Sequence, residues 1–383
     1  MIASLLRSYV RFRQTRSDRE IQRPSPVHSI VVVELTRLGD VICTFRSLAR
    51  LRAAYPAASL TCVVQEPYAE LVEALDLNIR AIGLRLSQTA RGIVAGLGIL
   101  RSHRFDLACS MSPAKRNALL VIGSRARVKA GYLTYLDARA QYLHRTPVNI
   151  LGRRASSARS YALQHISFRS SFVCDVLGIP DLAPRREPAF RPEVLAAART
   201  NIKAFPVGRH APYIVMHPFA AWEYKEWPAA SFAGLADAVV AECGHDVVVT
   251  CESADLRHWE QAARMLQHPD RVHVLSHCSL LELAALMRGA SLAVGNDSGP
   301  LHLASQVGTP VVGLYGPASP GLTAPDMEKG VFLYHAMECS PCPQRICVHP
   351  DSYCMNLIGV NEVLEAIRSL LGAHMQTGAA PNA

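Results

Sequence analysis

The chain has 383 residues, half of them hydrophobic and 19% charged, with a formal net charge of +9. That length supports two or three domains with cores of their own, and the composition is that of a globular α/β protein rather than a disordered or fibrous one. No run of about 18 uncharged apolar residues occurs, so no membrane-spanning helix is expected, and arginines interrupt the N-terminal stretch where a secretory signal needs an unbroken apolar core.

Residues 1–25 form a basic amphipathic segment. Ile2, Leu5, Leu6, Tyr9 and Val10 recur at helical spacing while Arg7, Arg11, Arg13 and Arg16 supply charge, a pattern suited to an anionic membrane surface or to the body of the protein. Ser29–Leu35 reads as the first strand, and the turn Thr36-Arg37-Leu38-Gly39-Asp40 leads into a helical pattern through Val41, Phe45, Leu48 and Leu51. A strand at Ser59–Val64, a helix at Pro67–Leu75, a strand near Ile79–Ile82, a helix at Gln88–Ser102 and an extended segment at Asp106–Ser110 follow. The charge is unevenly placed: from Leu97 to Ser160 twelve Lys/Arg residues, Lys115 and Arg116 among them, face only Asp106 and Asp137. Such a region favours an anionic partner, with a solvated basic face as the alternative.

Prolines crowd the stretch from Gly178 to Pro212, which reads as a linker over 181–211 with a helix at Val194–Ala204 inside it. A second alternation begins at 212. Its strands are Tyr213–Met216, Asp246–Thr250, Val272–Leu275, Ser291–Val294 and Pro310–Leu314; its helices are Ala229–Glu242, Asp255–Leu266, Leu280–Arg288 and Pro300–Gln306. Asn361–Leu371 is a last helix, expected to cross back to the first domain, and the tail 372–383 is expected to fray. The alternation predicts an α/β protein of two Rossmann-like, doubly wound parallel-sheet domains, 26–180 and 212–371, facing a central cleft. Ligands of such sheets sit beyond the carboxyl ends of the strands, where the turns at Asp40 and Asp297 fall.

Four constellations carry candidate chemistry. In Arg37-Leu38-Gly39-Asp40, the carboxylate is a helix N-cap or a group that reaches a ligand. In Trp222-Glu223-Tyr224-Lys225-Glu226-Trp227-Pro228, Lys225 can reach anionic oxygens while Trp227 packs the loop. In Gly295-Asn296-Asp297-Ser298-Gly299-Pro300-Leu301-His302, strand, turn and helix start make a phosphate cradle, with His302 one turn inside. A Ser298 nucleophile fits less well, since the Gly-x-Ser-x-Gly elbow is missing. Cys339, Cys342, Cys347 and Cys354 are close enough in sequence for zinc, though the spacing is not that of paired knuckles; a local cluster or reversible disulfide is the preferred reading and no metal is assigned. The remaining cysteines are scattered, as in a protein of a reducing cytoplasm.

Taken in order, Arg37-Leu38-Gly39-Asp40, Lys225-x-Trp227-Pro228, Asp297-Ser298-Gly299-x-x-His302 and the cysteine segment 339–354 resemble glycosyltransferase family 9, the lipopolysaccharide heptosyltransferases. The resemblance runs from Ser29 to Leu371 and implies the GT-B arrangement, with the acceptor on the N-terminal domain and ADP-heptose on the C-terminal one. It implies inverting transfer of a heptose or similar sugar to a phosphorylated lipid A–core oligosaccharide, with Asp40 as general base. Lys225, Asp297, Ser298, Gly299 and His302 would bind the donor diphosphate and sugar. Glu252 and His217 are the nucleotide candidates; Arg37, Lys115 and Arg116 are the acceptor candidates. No obligatory metal or other cofactor is implied, and no nucleic acid. The enzyme is expected in the cytoplasm, peripheral on the inner face of the bacterial inner membrane. The chain departs from the family pattern at Phe219-Ala220 and Thr250-Cys251-Glu252. A nucleotide-sugar epimerase of the same architecture and a non-catalytic glycan-binding or assembly protein are the alternatives.

Overall fold

The computed structural model describes residues 26–85, 89–112, 114–131, 133–134, 145–146, 171–175, 177–182, 188–202, 211–325, 330–342 and 344–376. The N-terminal basic segment, part of the basic region, part of the expected linker and the end of the tail lie outside them. The chain divides into two compact units on either side of Ala189 and Phe190.

In the first unit, β1 (Ser29–Glu34), β2 (Ser59–Gln65), β3 (Ile79–Leu84), β4 (Leu107–Ser110) and β5 (Val128–Ala130) form one sheet in the order β3-β2-β1-β4-β5. Every pairing in it is parallel. Both faces of such a sheet are covered by crossover helices, which is why β1 is a nearly continuous Val/Ile run rather than an alternating one. Val31, Val33 and Leu35 pack on one face with Leu100, Phe105 and Leu120. The helices are α1 (Leu38–Cys43), α2 (Phe45–Ala54), α3 (Ala69–Glu73), α4 (Ala90–Ser102) and α5 (Lys115–Gly123). A short antiparallel pair follows, β6 (Leu133–Thr134) and β7 (Arg145–Thr146).

One helical pattern after the Asp40 turn becomes two helices. Thr44 breaks it: its hydroxyl donates to Val41 O at 2.6 Å, drawing the backbone out of the regular ladder. Arg46 and Arg50 of α2 are buried and paired with Asp181 and Asp175 in charge-assisted bonds, so two arginines in an apolar stripe serve the core of this unit.

In the second unit, the helix expected over Val194–Ala204 is α6, Pro192–Asn201. The strands are β8 (Tyr213–His217), β9 (Asp246–Thr250), β10 (Val272–Leu275), β11 (Leu292–Asn296), β12 (Val311–Tyr315) and β13 (Gly330–Tyr334). They run parallel in the order β10-β9-β8-β11-β12-β13. The helices are α7 (Ala229–Ala238), α8 (Leu256–Ala263), α9 (Leu280–Arg288), α10 (Gly299–Gln306), α11 (Pro320–Thr323) and α12 (Val360–Gln376). A full capping box starts α9, with Ser279 and Glu282 satisfying each other's backbone N–H. The last helix lies against α7 and strands β11, β12 and β13, and it continues past Gly372 to Gln376, where fraying was expected.

Both sheets thus follow the doubly wound order, reversing direction between β1 and β4 in the first unit and between β8 and β11 in the second. At such a reversal neighbouring connections leave on opposite faces and open a crevice at the carboxyl ends of the two strands. The Asp40 turn follows β1, and α5 with Lys115 and Arg116 follows β4. The Lys225 loop follows β8, and Asp297 follows β11.

Candidate active site

Asn296 ties both ends of the loop after β8 to β11. Asn296, fully buried at the end of β11, accepts from Trp227 N–H at 3.0 Å and donates to Pro218 O at 2.5 Å. Trp227 is buried, stands edge-on to Phe232, and donates its indole N–H to Ile358 O at 2.9 Å. Glu226 Oε1 accepts from Ala220 N–H at 2.9 Å, and burial pushes this carboxyl up to about 7. With both ends pinned, the short 3-10 turn Glu223–Lys225 directs Lys225 at the residue following Asn296. Lys225 Nζ lies 2.5 Å from Asp297 Oδ2, and the two side chains are only 12% and 9% exposed. Burying an ion pair costs desolvation of both charges, so it persists only where the surroundings fix its geometry, as Asn296 does here.

Asp297 also donates its N–H to Leu314 O, which fixes the turn on β12. Ser298 is the N-cap of α10, but its hydroxyl caps nothing and is buried with no hydrogen-bond partner among the described residues. The first-turn N–H groups of a helix have no acceptors within that helix, and they carry the positive end of its dipole. An unused hydroxyl, a helix start at Gly299 and an ammonium therefore gather at one spot, with His302 buried four residues on from Ser298. Gly295 keeps the strand close to its neighbour; a Cβ there would stand 3.3 Å from His217 O.

His217 lies at the end of β8, and its Nδ1 is 3.0 Å from Thr250 Oγ1, tying the end of β8 to β9. Burial pulls its imidazole down to about 4, so it is neutral near pH 7. Glu252, just past β9, is exposed. These two sit along the same edge of the sheet as Lys225 and Asp297.

In the first unit, Asp40 stands in the first turn of α1 and is not its N-cap. That position belongs to Arg37, which is exposed and makes no side-chain capping bond. The turn before it is clamped from three sides. Gln65 Nε2 donates to Leu35 O and Thr36 O, Asn117 Oδ1 accepts from Leu35 N–H, and Glu34 accepts from Thr36. Lys115 opens α5 and is exposed; Arg116 is half-buried, with its Nε lacking a partner.

The sequence assigns no role to two residues that hold these sites. Asn296 acts on partners 69 and 78 residues away. Glu34 is announced only by being an acid in an otherwise apolar strand. The cysteine segment is drawn together around Cys354, whose thiol is pushed up to about 11 by burial and by Cys342, Cys339 and Cys347. The described residues hold no disulfide. Among the described residues no group of three or more His, Cys, Asp or Glu is arranged to hold a metal ion, and no helix is long and apolar enough to cross a membrane.

Two Rossmann-like units, the second with an anion cradle at its strand reversal, make up the GT-B fold. The chain belongs to glycosyltransferase family 9 (heptosyltransferase), whose model matches residues 98–352. It is similar to lipopolysaccharide heptosyltransferase 1 of Pseudomonas aeruginosa, with 27% identity over 84% of this chain and 87% of that protein. It is also similar to lipopolysaccharide heptosyltransferase 3 of Escherichia coli K12, with 25% identity over 87% of this chain and 95% of that protein. Among solved structures, a family 9 glycosyl transferase from Veillonella parvula superposes with a TM-score of 0.74 at 23% identity, covering 93% of this chain and all of that one. The E. coli ADP-heptose LPS heptosyltransferase II superposes at 0.69 with 19% identity, over 91% of this chain and 99% of that one.

Proposed function

We propose that this enzyme moves a heptose, or a closely similar sugar, from ADP-heptose to a phosphorylated lipid A–core oligosaccharide, inverting the anomeric centre. The observation that carries this reading is the meeting of Lys225, Asp297 and the start of α10 at the β8–β11 reversal. In the proposed reaction the acceptor hydroxyl gives its proton to Asp40 as its oxygen bonds the anomeric carbon. The carbon–oxygen bond to the diphosphate breaks on the opposite side, and ADP leaves with the electron pair. A single displacement of this kind inverts the centre.

Charge builds on the leaving diphosphate, and Lys225 with the N–H groups at Ser298 and Gly299 would receive it. Preorganised donors aimed at developing charge are worth about 3–4 kcal/mol each. Asp297, freed from Lys225 as the diphosphate arrives, would accept from the sugar hydroxyls, and His302 would bond a phosphate oxygen. Glu252 and neutral His217 are the proposed nucleotide contacts. Arg37, Lys115 and Arg116, at the β1–β4 reversal, would meet the phosphorylated acceptor. A basic region and an amphipathic N-terminal segment favour work at the cytoplasmic face of an anionic membrane.

A thermal-shift panel of nucleotide sugars tests the donor assignment. Ligand present at about 100 times its dissociation constant stabilises by about 2.7 kcal/mol. ADP-heptose should raise the melting temperature well above UDP- and GDP-sugars; equal shifts from all of them would reject the donor.

A further inference from the structure

The strand that leads to Asp40 ends in a carboxyl that the transfer step does not use. Glu34 is completely buried. Among the described residues, the donors that reach it reach one oxygen: Thr36 N–H at 3.2 Å, Thr36 Oγ1 at 2.5 Å, Ser112 Oγ at 2.9 Å and Asn117 Nδ2 at 3.1 Å all lie on Oε1. Oε2 is buried with no partner among the described residues. A carboxylate anion needs donors on both oxygens, and a buried charge without them is costly. The four donors on Oε1 favour the anion, but burial with Oε2 left bare costs the charged form more than the neutral one.

The network is itself fixed. Asn117 Nδ2 also donates to Ser112 Oγ at 2.8 Å, and Asn117 Oδ1 holds Leu35 N–H at 3.0 Å. Glu34 is thereby locked to the segment after β4 and to α5, and through Thr36 to the turn that presents Asp40. Two titratable groups lie within its electrostatic reach. One is Asp40, from the first turn of α1; the other is Cys62, from β2, whose thiol burial pushes up and Glu34 pushes further. Burial, and secondarily the charge of Asp40, hold the Glu34 proton up to about 7 against the pull of its three hydrogen-bonding neighbours. Influence between two acids is mutual, so ionised Glu34 makes Asp40 more basic.

We infer that Glu34 is a positioning residue for Asp40: a buried acid locked behind the turn that presents the base, which strengthens that base when it gives its proton to solvent. The inference rests on Asp40 as the general base and goes beyond it. A base's efficiency follows its basicity. Wild-type kcat/KM should therefore rise several-fold as pH passes through neutrality. Glu34→Gln imitates the neutral acid, so the rise should vanish while activity on the acid side and KM for the donor stay as in wild type. An identical rise in the variant overturns the inference, and leaves the base assignment standing if Asp40→Asn is inactive. Full turnover by Asp40→Asn ends both. Should Glu34→Gln fail to fold, infrared titration of the wild-type protein replaces it. A protonated-carboxyl band should disappear near neutrality, and its midpoint should fall in Asp40→Asn, where the like charge is gone. No such band, or a midpoint indifferent to Asp40→Asn, refutes the inference.

Discussion

Replacing Asn296 with alanine removes a buried amide that joins the Lys225 loop to the Asp297 turn. Two bonds go, to Trp227 N–H and to Pro218 O, and Asn296 itself is wholly buried. A buried polar group left without its partner costs about 1–3 kcal/mol, so the pair costs about 2–6 kcal/mol. A domain's whole stability is about 5–15 kcal/mol, so the loss is a large share. At about 2–4 °C per kcal/mol for a unit of this size, the melting temperature should fall by roughly ten degrees. Function should suffer separately, because Lys225 is held at Asp297 by the same amide. Thermal denaturation and ADP calorimetry on wild type and variant, below the variant's transition, read the two effects. An unchanged melting temperature would show that the amide is dispensable to the fold. A fallen melting temperature with unchanged ADP affinity would show that Lys225 finds its place without it.

Further outcomes follow from the same geometry. Lys225→Ala should weaken ADP binding by about tenfold or more, as loss of a charge-assisted contact of about 1.5–3 kcal/mol requires, and calorimetry checks it. Asp40→Ala should cut transfer by about 10²–10⁴-fold, the usual contribution of a general base, with ADP affinity retained. Because Glu34 binds its proton more tightly folded than unfolded, its contribution to stability is full below pH 4.5 and is lost as pH rises through about 7. Measured against Glu34→Gln, wild type should therefore lose about 3 kcal/mol over that interval in urea titrations at stepped pH. His217 has the opposite sign: its folded value of about 4 lies below the ordinary 6.5, so its contribution is present above pH 6.5 and lost as pH falls toward 4. His217→Gln should make the protein's stability less sensitive to acid across that window.

The alternation of short apolar strands and amphipathic helices was enough to read the inner strands of both sheets from the sequence, since parallel strands buried on two faces leave a clear trace in runs such as Val31–Val33 and Val247–Val249; the edge strands β5 (Val128–Ala130) and β13 (Gly330–Tyr334) were not expected. The Asp297-Ser298-Gly299 turn was legible too, because a helix start beside glycine has few other uses. Contacts between residues far apart in the chain were not legible. Glu34 reads as a blemish in a strand until Ser112 and Asn117 are seen closing on it from 78 and 83 residues away. Asn296 looks like an ordinary turn residue until its amide is seen between Trp227 and Pro218. Local competition also escaped the periodicity: the Thr44 hydroxyl splits one expected helix into α1 and α2. Gly372, read as the start of a tail, lies inside α12 because the helix goes on beyond it. Asp40 is the instructive case. Its spacing favoured a cap, but the cap position falls to Arg37, and the acid sits a few residues further on.

The most direct measurement is transfer itself. The protein is incubated with ADP-heptose and a lipid A–core acceptor lacking its next heptose, and the acceptor is followed by mass and the new anomeric centre by NMR. The account predicts a gain of one heptose with inverted configuration and one ADP released per transfer, slowed at least about a hundredfold by Asp40→Ala. A product of retained configuration, transfer undiminished in Asp40→Ala, or an acceptor unchanged in the presence of bound ADP-heptose would contradict it.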